Sequence, residues 1–524
     1  MNARAKQILM LLLAVALLAV SGQVQKSMNR DRVQLGLTIG EPLENAPPLL
    51  AFTTVALGGF RGLISNFLWM RANDLQQDDK FFEAAQLADW ITDLEPHFAQ
   101  VWNFQAWNMA YNISVKFKDN APGDYSDRWR WVQRGFELLR DRGLSYNPDD
   151  VSICFQLGWI FQHKMGQNLD DGNRYYKLQW LADMAPFFGP HGTNFDNLIH
   201  PQTAEARTNS LVLRDKYKID PVFAQKVDAQ YGPLVWRLPE AHAIYWYALG
   251  LEKAAGNTNK VKQGDFDLMQ LRRGIFQSEQ AAFRHGRVIA NPFARSGVEL
   301  APNLDLIPKA NDSYLQMYAE EKDDGQRTDI LRAHRNFVRD AVYFLYQNDR
   351  MAEAAKWFKY LGEKYPDQTI IEDRPDSLPK NVTLDEYAVA VTQIDIDETS
   401  QERVNSAVRG LLVHAYLDTA IGEEDRAAGF QLLAAKVNAS YRARMGKDQP
   451  RAALDSLNDL KRDVLTELLD PQNGLPYNAR TIIRSQVGMP AETNAPPQTV
   501  STNAMAPVVP PPSTNSPATN PATK

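Results

Sequence analysis

Turn residues cut this chain into amphipathic windows of similar length, and that rhythm constrains its fold more than any single motif does. Windows of ten to twenty residues with apolar positions at helical spacing recur between Asp, Asn, Gly and Pro. Phe81–Leu94 stops at Glu95-Pro96, and Gln100–Val115 stops in a charged, Gly- and Pro-containing stretch ending at Gly123. Trp129–Leu144 ends at Asn147-Pro148, and Ser152–Met165 follows directly. His334–Gln347 turns at Asn348-Asp349 into Met351–Tyr365, which stops at Pro366. Arg409–Ala420 turns at Gly422 into Asp425–Arg444. Long Val/Ile/Thr alternations are absent, apart from a short strand-like run at Val389–Ile396. The predicted class is all-α, built of paired helices.

The pairs share a spacing. Ala84, Ala88, Ile91 and Pro96 are separated by four, three and five residues, and Ala354, Phe358, Leu361 and Pro366 repeat those offsets. Phe136, Arg140, Gly143 and Pro148 repeat them with less apt residue types. The first three positions of each set share a helix face, and the proline begins a turn that cannot continue the helix. Trp102 and Cys154 follow their prolines by six residues, Leu157-Gly158 and Phe161 come next, and Trp246-x-x-Leu249-Gly250 repeats the start. Small residues at Ala72, Ala106, Gly158 and Gly250 are placed to let neighbouring helices approach.

These residues resemble the tetratricopeptide repeat, a helix–turn–helix unit of about 34 residues that stacks into a superhelix. The resembling stretches are 60–165, 334–366 and 405–440, degenerate and interrupted. The resemblance implies a right-handed superhelix with an inner groove lined by the first helix of each unit. It places Trp69, Asn73 and Gln77 on that face in the first unit, Asn103, Trp107 and Tyr111 in the second, and Phe155, Trp159 and His163 in the third. Amides pair with an extended backbone, and aromatic rings give large contact area at low entropic cost. The expected occupant is therefore a protein or peptide; the same mixture of rings and amides also suits sugar rings.

The termini read differently from the body. Arg4 and Lys6 precede an unbroken apolar run, Ile8–Val20, of thirteen residues. That run is short for a spanning helix and fits a secretory signal core, with Ala19 and Ser21 near a cleavage point, or an uncleaved anchor. A second apolar stretch, Leu49–Met70, carries Arg61 at its centre, a costly charge at mid-membrane. From Phe60 the positions Phe60, Leu63, Ile64, Phe67, Leu68 and Leu75 read as the buried face of a first soluble helix. The expected organisation is a signal peptide or anchor over 1–24, a linker over 25–59 and repeats over 60–185. An insertion loop over 186–235, a second repeat region over 236–485 and a Pro/Thr/Asn/Ala-rich disordered tail over 486–524 complete it.

Chemistry is scarce. No P-loop, H-E-x-x-H, G-x-S-x-G or EF-hand pattern occurs. The single cysteine, Cys154, excludes an internal disulfide and a cysteine-built metal site, and its apolar neighbours mark a core position. His191, Asp196 and His200 would form a metal site only if the fold converged them; a polar turn is the expectation. Asp149-Asp150, Asp170-Asp171 and Asp323-Asp324 read as helix caps or solvated turns. A net charge of −6 gives no footprint for nucleic acid. No cofactor, metal or catalytic residue is assigned. The sequence points to a non-enzymatic scaffold for protein–protein interactions outside the cytoplasm, in the periplasm or on the membrane of a bacterial envelope. A glycan-binding protein of the same compartment is the alternative, with an all-α toroidal glycan lyase behind it.

Overall fold

A computed structural model describes residues 61–492 except 122, 168, 190–191, 257–264, 292–296, 372–373, 395–400 and 446–455, together with ten helical residues between 17 and 31. The Ile8–Val20 run (apart from Leu17 and Val20), the 32–59 linker segment and the tail beyond 492 lie outside the described residues. Among the described residues, no helix is long and apolar enough to cross a membrane.

The described chain is mostly helical. It runs α1 (Arg61–Gln77), α2 (Phe81–Leu94), α3 (Ala99–Trp107), α4 (Ser126–Glu137), α5 (Val151–Trp159), α6 (Asn173–Met184), α7 (Phe195–Ile199), α8 (Ala204–Asp215), α9 (Pro221–Tyr231), α10 (Pro239–Gly256) and α11 (Asp265–His285). One antiparallel pair follows, β1 (Arg287–Ala290) with β2 (Val298–Ala301), in the register Arg287 opposite Ala301. Then come α12 (Ile307–Glu320), α13 (Asp324–Gln347), α14 (Met351–Lys364), α15 (Leu384–Ile394), α16 (Gln401–Ile421), α17 (Glu424–Met445), α18 (Leu457–Leu468) and α19 (Tyr477–Gln486). Three helices widen into π-helical turns: α3 at Asn108–Ile113, α4 at Leu138–Gly143 and α5 at Ile160–Gly166.

The turns show why the helices pair. Asp79, Asp349 and Gly422 each take a left-handed backbone, with φ of 60°, 54° and 79°. Each is followed by a residue whose N–H reaches back over the end of the preceding helix: Lys80 to Leu75, Arg350 to Leu345 and Glu423 to Asp418. That is the helix-ending arrangement in which a left-handed residue lets the last carbonyls find donors. Asp and Gly are among the few residues that tolerate it. Five residues beyond each turn lies a buried alanine, Ala84, Ala354 or Ala427. At the other end of the second helix, Glu95, Asn147 and Tyr365 leave the helical region just before Pro96, Pro148 and Pro366, as the pre-proline position demands. The Pro96 carbonyl accepts from the Trp102 indole (2.8 Å) and the Asn147 amide (2.9 Å).

The chain divides into two compact units. The first comprises 1–176, 211–220 and 242–275. Its core includes Ala88, Ile91 and Val101, flanked by Leu68, Trp69 and Phe104. Phe81, Ala85 and Ile113 form another cluster, with Met109, Phe117 and Trp131 against it. Close approach is achieved through small residues. A Cβ on Gly135 would stand 2.8 Å from the Ala106 carbonyl, and one on Gly158 would stand 2.6 Å from the Tyr247 ring. Gly250 abuts Leu271 and Cys154, and Cys154 is buried, its thiol pushed up by that burial to about 12.

The second unit comprises 177–210, 221–241 and 276–524. Its polar interior is specific. The His334 ring bridges Tyr365 (Nδ1, 2.6 Å) and Asn311 (Nε2, 2.9 Å), and burial pulls it down to about 4. The β1–β2 hairpin is tied to the α16–α17 hairpin by Arg287–Glu423 (2.6 Å) and Arg426–Glu299 (2.7 Å), with Asp418 3.4 Å from Arg426. Burial pushes Asp418 up to about 7, against the Arg426 charge. Glu279 on α11 is also buried and pushed up to about 8, with Ser313 and Lys309 acting in the opposite sense.

Three expectations need correction. Leu63 and Phe67, read as buried, are 67% and 65% exposed, with Met70 beside them at 60%. α1 turns Ser65, Ala72 and Leu75 inward instead; Leu63, Ile64, Phe67, Leu68, Trp69 and Met70 spread apolar side chains over several sides of its first turns, so periodicity alone could not choose the face. Val389–Ile396 is no strand: its residues to Ile394 lie in α15, where Tyr387, Ala388, Val389 and Ala390 are buried together. The 186–235 interval holds the three helices α7, α8 and α9 rather than a loop. The hairpin at 287–301 was not anticipated.

Candidate functional site: a half-buried ladder of aromatic rings

The site belongs to the first unit and is carried by α3, α5 and their π-helical extensions. Asp150 starts α5 by accepting from the Ile153 N–H (3.1 Å), and Asp323 caps α13 in the same way at Gln326 (2.8 Å). Both acidic pairs thus supply the caps expected of them. Asp170-Asp171 does not, as shown below. α3 and α5 are joined where the Asn103 amide donates to the Ser152 hydroxyl (2.9 Å), which itself donates to Asp150 (2.6 Å).

Along these helices the rings connect in series. Trp107 stacks on Tyr111 (centroids 5.7 Å apart, 22° between planes), and Tyr111 meets His163 at 5.7 Å. His163 stacks on Trp159 at 4.6 Å and 10°, and Trp159 on Phe155 at 6.2 Å and 20°. Phe155 leans on Tyr247 at 5.7 Å. The five members from Trp107 to Phe155 are half-buried, while Tyr247 is buried and donates to Gln162 (2.6 Å). Tyr111 and His163 occupy the π-helical turns of α3 and α5. Such turns shift the register of a helix face and are frequent at functional sites.

The ladder is uncharged at neutral pH. Burial, helped by the Lys164 charge, lowers His163, and its Nδ1 shares a hydrogen bond with the Tyr111 hydroxyl (3.3 Å). Burial and the Asp170 charge push Tyr111 up, with the Trp159 indole acting in the opposite sense. The charges underneath are spent on each other. Lys164, buried, donates to Asp170 at 2.5 Å and lies 5.2 Å from the Tyr111 ring centre. Arg128 (3.5 Å), the Tyr176 hydroxyl (3.0 Å) and the Gly172 N–H (2.7 Å) complete the shell of Asp170. Burial would raise Asp170, but the hydrogen bond and charge of Lys164 outweigh it and hold the carboxyl below its usual range. Burial in turn lowers Lys164 against the pull of Asp170. Asn103 Oδ1 and Gln156 Nε2, one acceptor and one donor, are buried without hydrogen-bond partners.

Of the nine residues expected on the groove, Asn103, Trp107, Tyr111, Phe155, Trp159 and His163 are brought together. Trp69, Asn73 and Gln77 do not join them. Trp69 packs against Phe98 (6.2 Å) and Phe104 (5.0 Å), Asn73 is half-buried, and Gln77 is exposed at the end of α1. The reason is local: Trp69 has a hydrophobic partner cluster within reach and buries area there. Sequence reasoning missed Tyr247, although its neighbour Trp246 belongs to a flagged start, and it missed that Asp170 is a buried counter-ion. Asp196 and His200 stand 3.1 Å apart on an exposed turn, and His191 lies outside the described residues. Among the described residues, no group of His, Cys, Asp and Glu is arranged to hold a metal ion. Compared with known proteins, the chain matches no family, no curated protein and no solved structure.

Proposed function

We propose that this chain is a non-enzymatic binding protein, a tetratricopeptide-like scaffold that engages an extended protein segment on the ladder formed by α3 and α5. The observation that carries this reading is the continuous run of half-buried rings from Trp107 through Tyr111, His163 and Trp159 to Phe155. Rigid aromatic side chains lose little entropy on binding and dominate interface energetics. The recurrent turns at Asp79, Asp349 and Gly422 support the repeat reading. The Ile8–Val20 run, with Arg4 and Lys6 ahead of it, supports a location outside the cytoplasm, released or anchored at the membrane.

The alternative, glycan binding, draws on the near-parallel, half-buried stacks of Trp107–Tyr111 and Phe155–Trp159. Tryptophan-fluorescence titration of the full chain against an extended-peptide array and a panel of neutral oligosaccharides separates the two. Saturable peptide binding that weakens at least tenfold in both Trp107→Ala and Trp159→Ala is expected. Oligosaccharide binding with the same sensitivity would install the alternative, and binding untouched by either substitution would remove the site. Cell fractionation, with the mature N-terminus sequenced, tests the location.

A further inference from the structure

In the second unit, one buried carboxyl exceeds what the neighbouring cations can serve. Asp418 lies in the last turn of α16, where the carbonyl end of the helix opposes a negative charge. Facing it are Arg426 in the first turn of α17, Glu423 just before that helix, Glu299 on β2 and Arg287 on β1. His414, one turn earlier on α16, stacks on Phe430 instead (5.3 Å). Three carboxyls therefore share two guanidiniums.

The sharing is uneven. Glu423 takes Arg287 at 2.6 Å, and a single nitrogen of Arg426, Nη2, stands 2.7 Å from Glu299 and 3.4 Å from Asp418. The other nitrogen of that guanidinium, Nη1, and the other oxygen of Asp418, Oδ2, are both buried without a hydrogen-bond partner. A spare donor and a spare acceptor thus belong to the same close pair. While Asp418 keeps its proton it carries no charge, and Arg426 stays with Glu299, holding β2 to α17. A bare carboxylate buried at that position demands a counter-charge, and a guanidinium engaged through two nitrogens meets the demand best. Glu299 is only half-buried, so water can serve it once Arg426 has turned away. Burial pushes the Asp418 carboxyl up to about 7, which sets the exchange near neutrality.

We propose that loss of the Asp418 proton moves Arg426 from Glu299 to Asp418 and frees the β1–β2 hairpin from the α16–α17 hairpin. The remaining tie, Arg287–Glu423, is partly in solvent, and pairs of that kind hold weakly. The base of the β-hairpin stays fixed, because the Asn303 N–H donates to the Phe283 carbonyl (2.8 Å). The strands swing while α11 and α12 keep their places.

Hydrogen exchange of the full chain, read by mass spectrometry and corrected for the intrinsic effect of pH, follows the strands in peptides covering 287–301. Their protection should fall at least fivefold between pH 6 and pH 8.5, and by more than that of α17. Asp418→Asn, which cannot ionise, should keep its pH 6 protection at pH 8.5. Glu299→Gln, which lacks the charged tie from the start, should show weak protection at both values, and it serves as the test should Asp418→Asn fail to fold. Equal protection at the two pH values, a loss no larger than that of α17, a fivefold fall persisting in Asp418→Asn, or one retained in Glu299→Gln would each overturn the proposal.

Discussion

Single residues in this protein act mainly through closeness and burial. Gly158 and Gly274 both abut the Tyr247 ring, where an added Cβ would stand 2.6 and 2.5 Å away. The ring is also held by its hydroxyl on Gln162, so it has no free direction in which to yield. Gly158→Ala should therefore destabilise the first unit by about 1–3 kcal/mol, as overpacking of a filled core does. Urea denaturation checks this, and a cost under half that size would mean that the ring can move. Because Tyr247 supports Phe155, the same substitution should also perturb ligand-induced fluorescence at the ladder. None of this was visible in the spacing of Gly158. The pattern showed that a small residue stood on a helix face; it did not show which ring needed the space.

At the level of elements, the turns decide. Asp79, Asp349 and Gly422 end their helices in the same left-handed conformation, and each hairpin then buries an alanine five residues on. Gly422→Ala should cost about 1 kcal/mol, since an L side chain in that region clashes with its own backbone. Asp349→Gly, by contrast, should lie within about 1 kcal/mol of neutral, relief of strain offsetting a more flexible unfolded chain. Thermal unfolding of the two variants side by side reads the difference, and equal losses would contradict the shared geometry. These hairpins were legible in the sequence because Pro, Gly and Asp mark turns for steric reasons that act locally. The face of α1 was not: with Leu63, Ile64, Phe67, Leu68, Trp69 and Met70 crowded into two turns, the periodic signal points in several directions. Only packing against α2 chose Ser65, Ala72 and Leu75 for burial. Likewise the Val389 run satisfies a strand pattern locally, yet becomes a helix because Tyr387 and its neighbours bury area within the second unit.

For the whole molecule, buried ionisable groups set the response to pH. Glu279 and Asp418 hold their protons up to about 8 and about 7 in the folded chain, well above the unfolded range. The folded state therefore binds more protons than the unfolded one as pH rises through that interval, and stability falls. His334 acts oppositely: pulled down to about 4, it penalises folding as pH drops below about 6.5, where the unfolded imidazole takes a proton. The two effects oppose each other between about 4 and 6.5, leaving the carboxyl effect alone above it. The melting temperature should thus decline from pH 6.5 to 8, and Glu279→Gln, neutral throughout, should flatten most of the decline above pH 7. An unchanged slope in that variant would show Glu279 to be ionised in the fold.

At this scale the division of information is plain. Helical periodicity and turn sterics act over a few neighbours, so the all-α class, the positions of most hairpins and the core role of Cys154 were legible in the order of residues. Tertiary packing fixed what lies further apart: that Trp69 packs inward, that Asp170 pairs with Lys164, that Tyr247 underlies the rings, and that 186–235 is helical. Those outcomes depend on which surfaces meet across long stretches of chain. Burial energy and desolvation are properties of that meeting, and no local spacing encodes them.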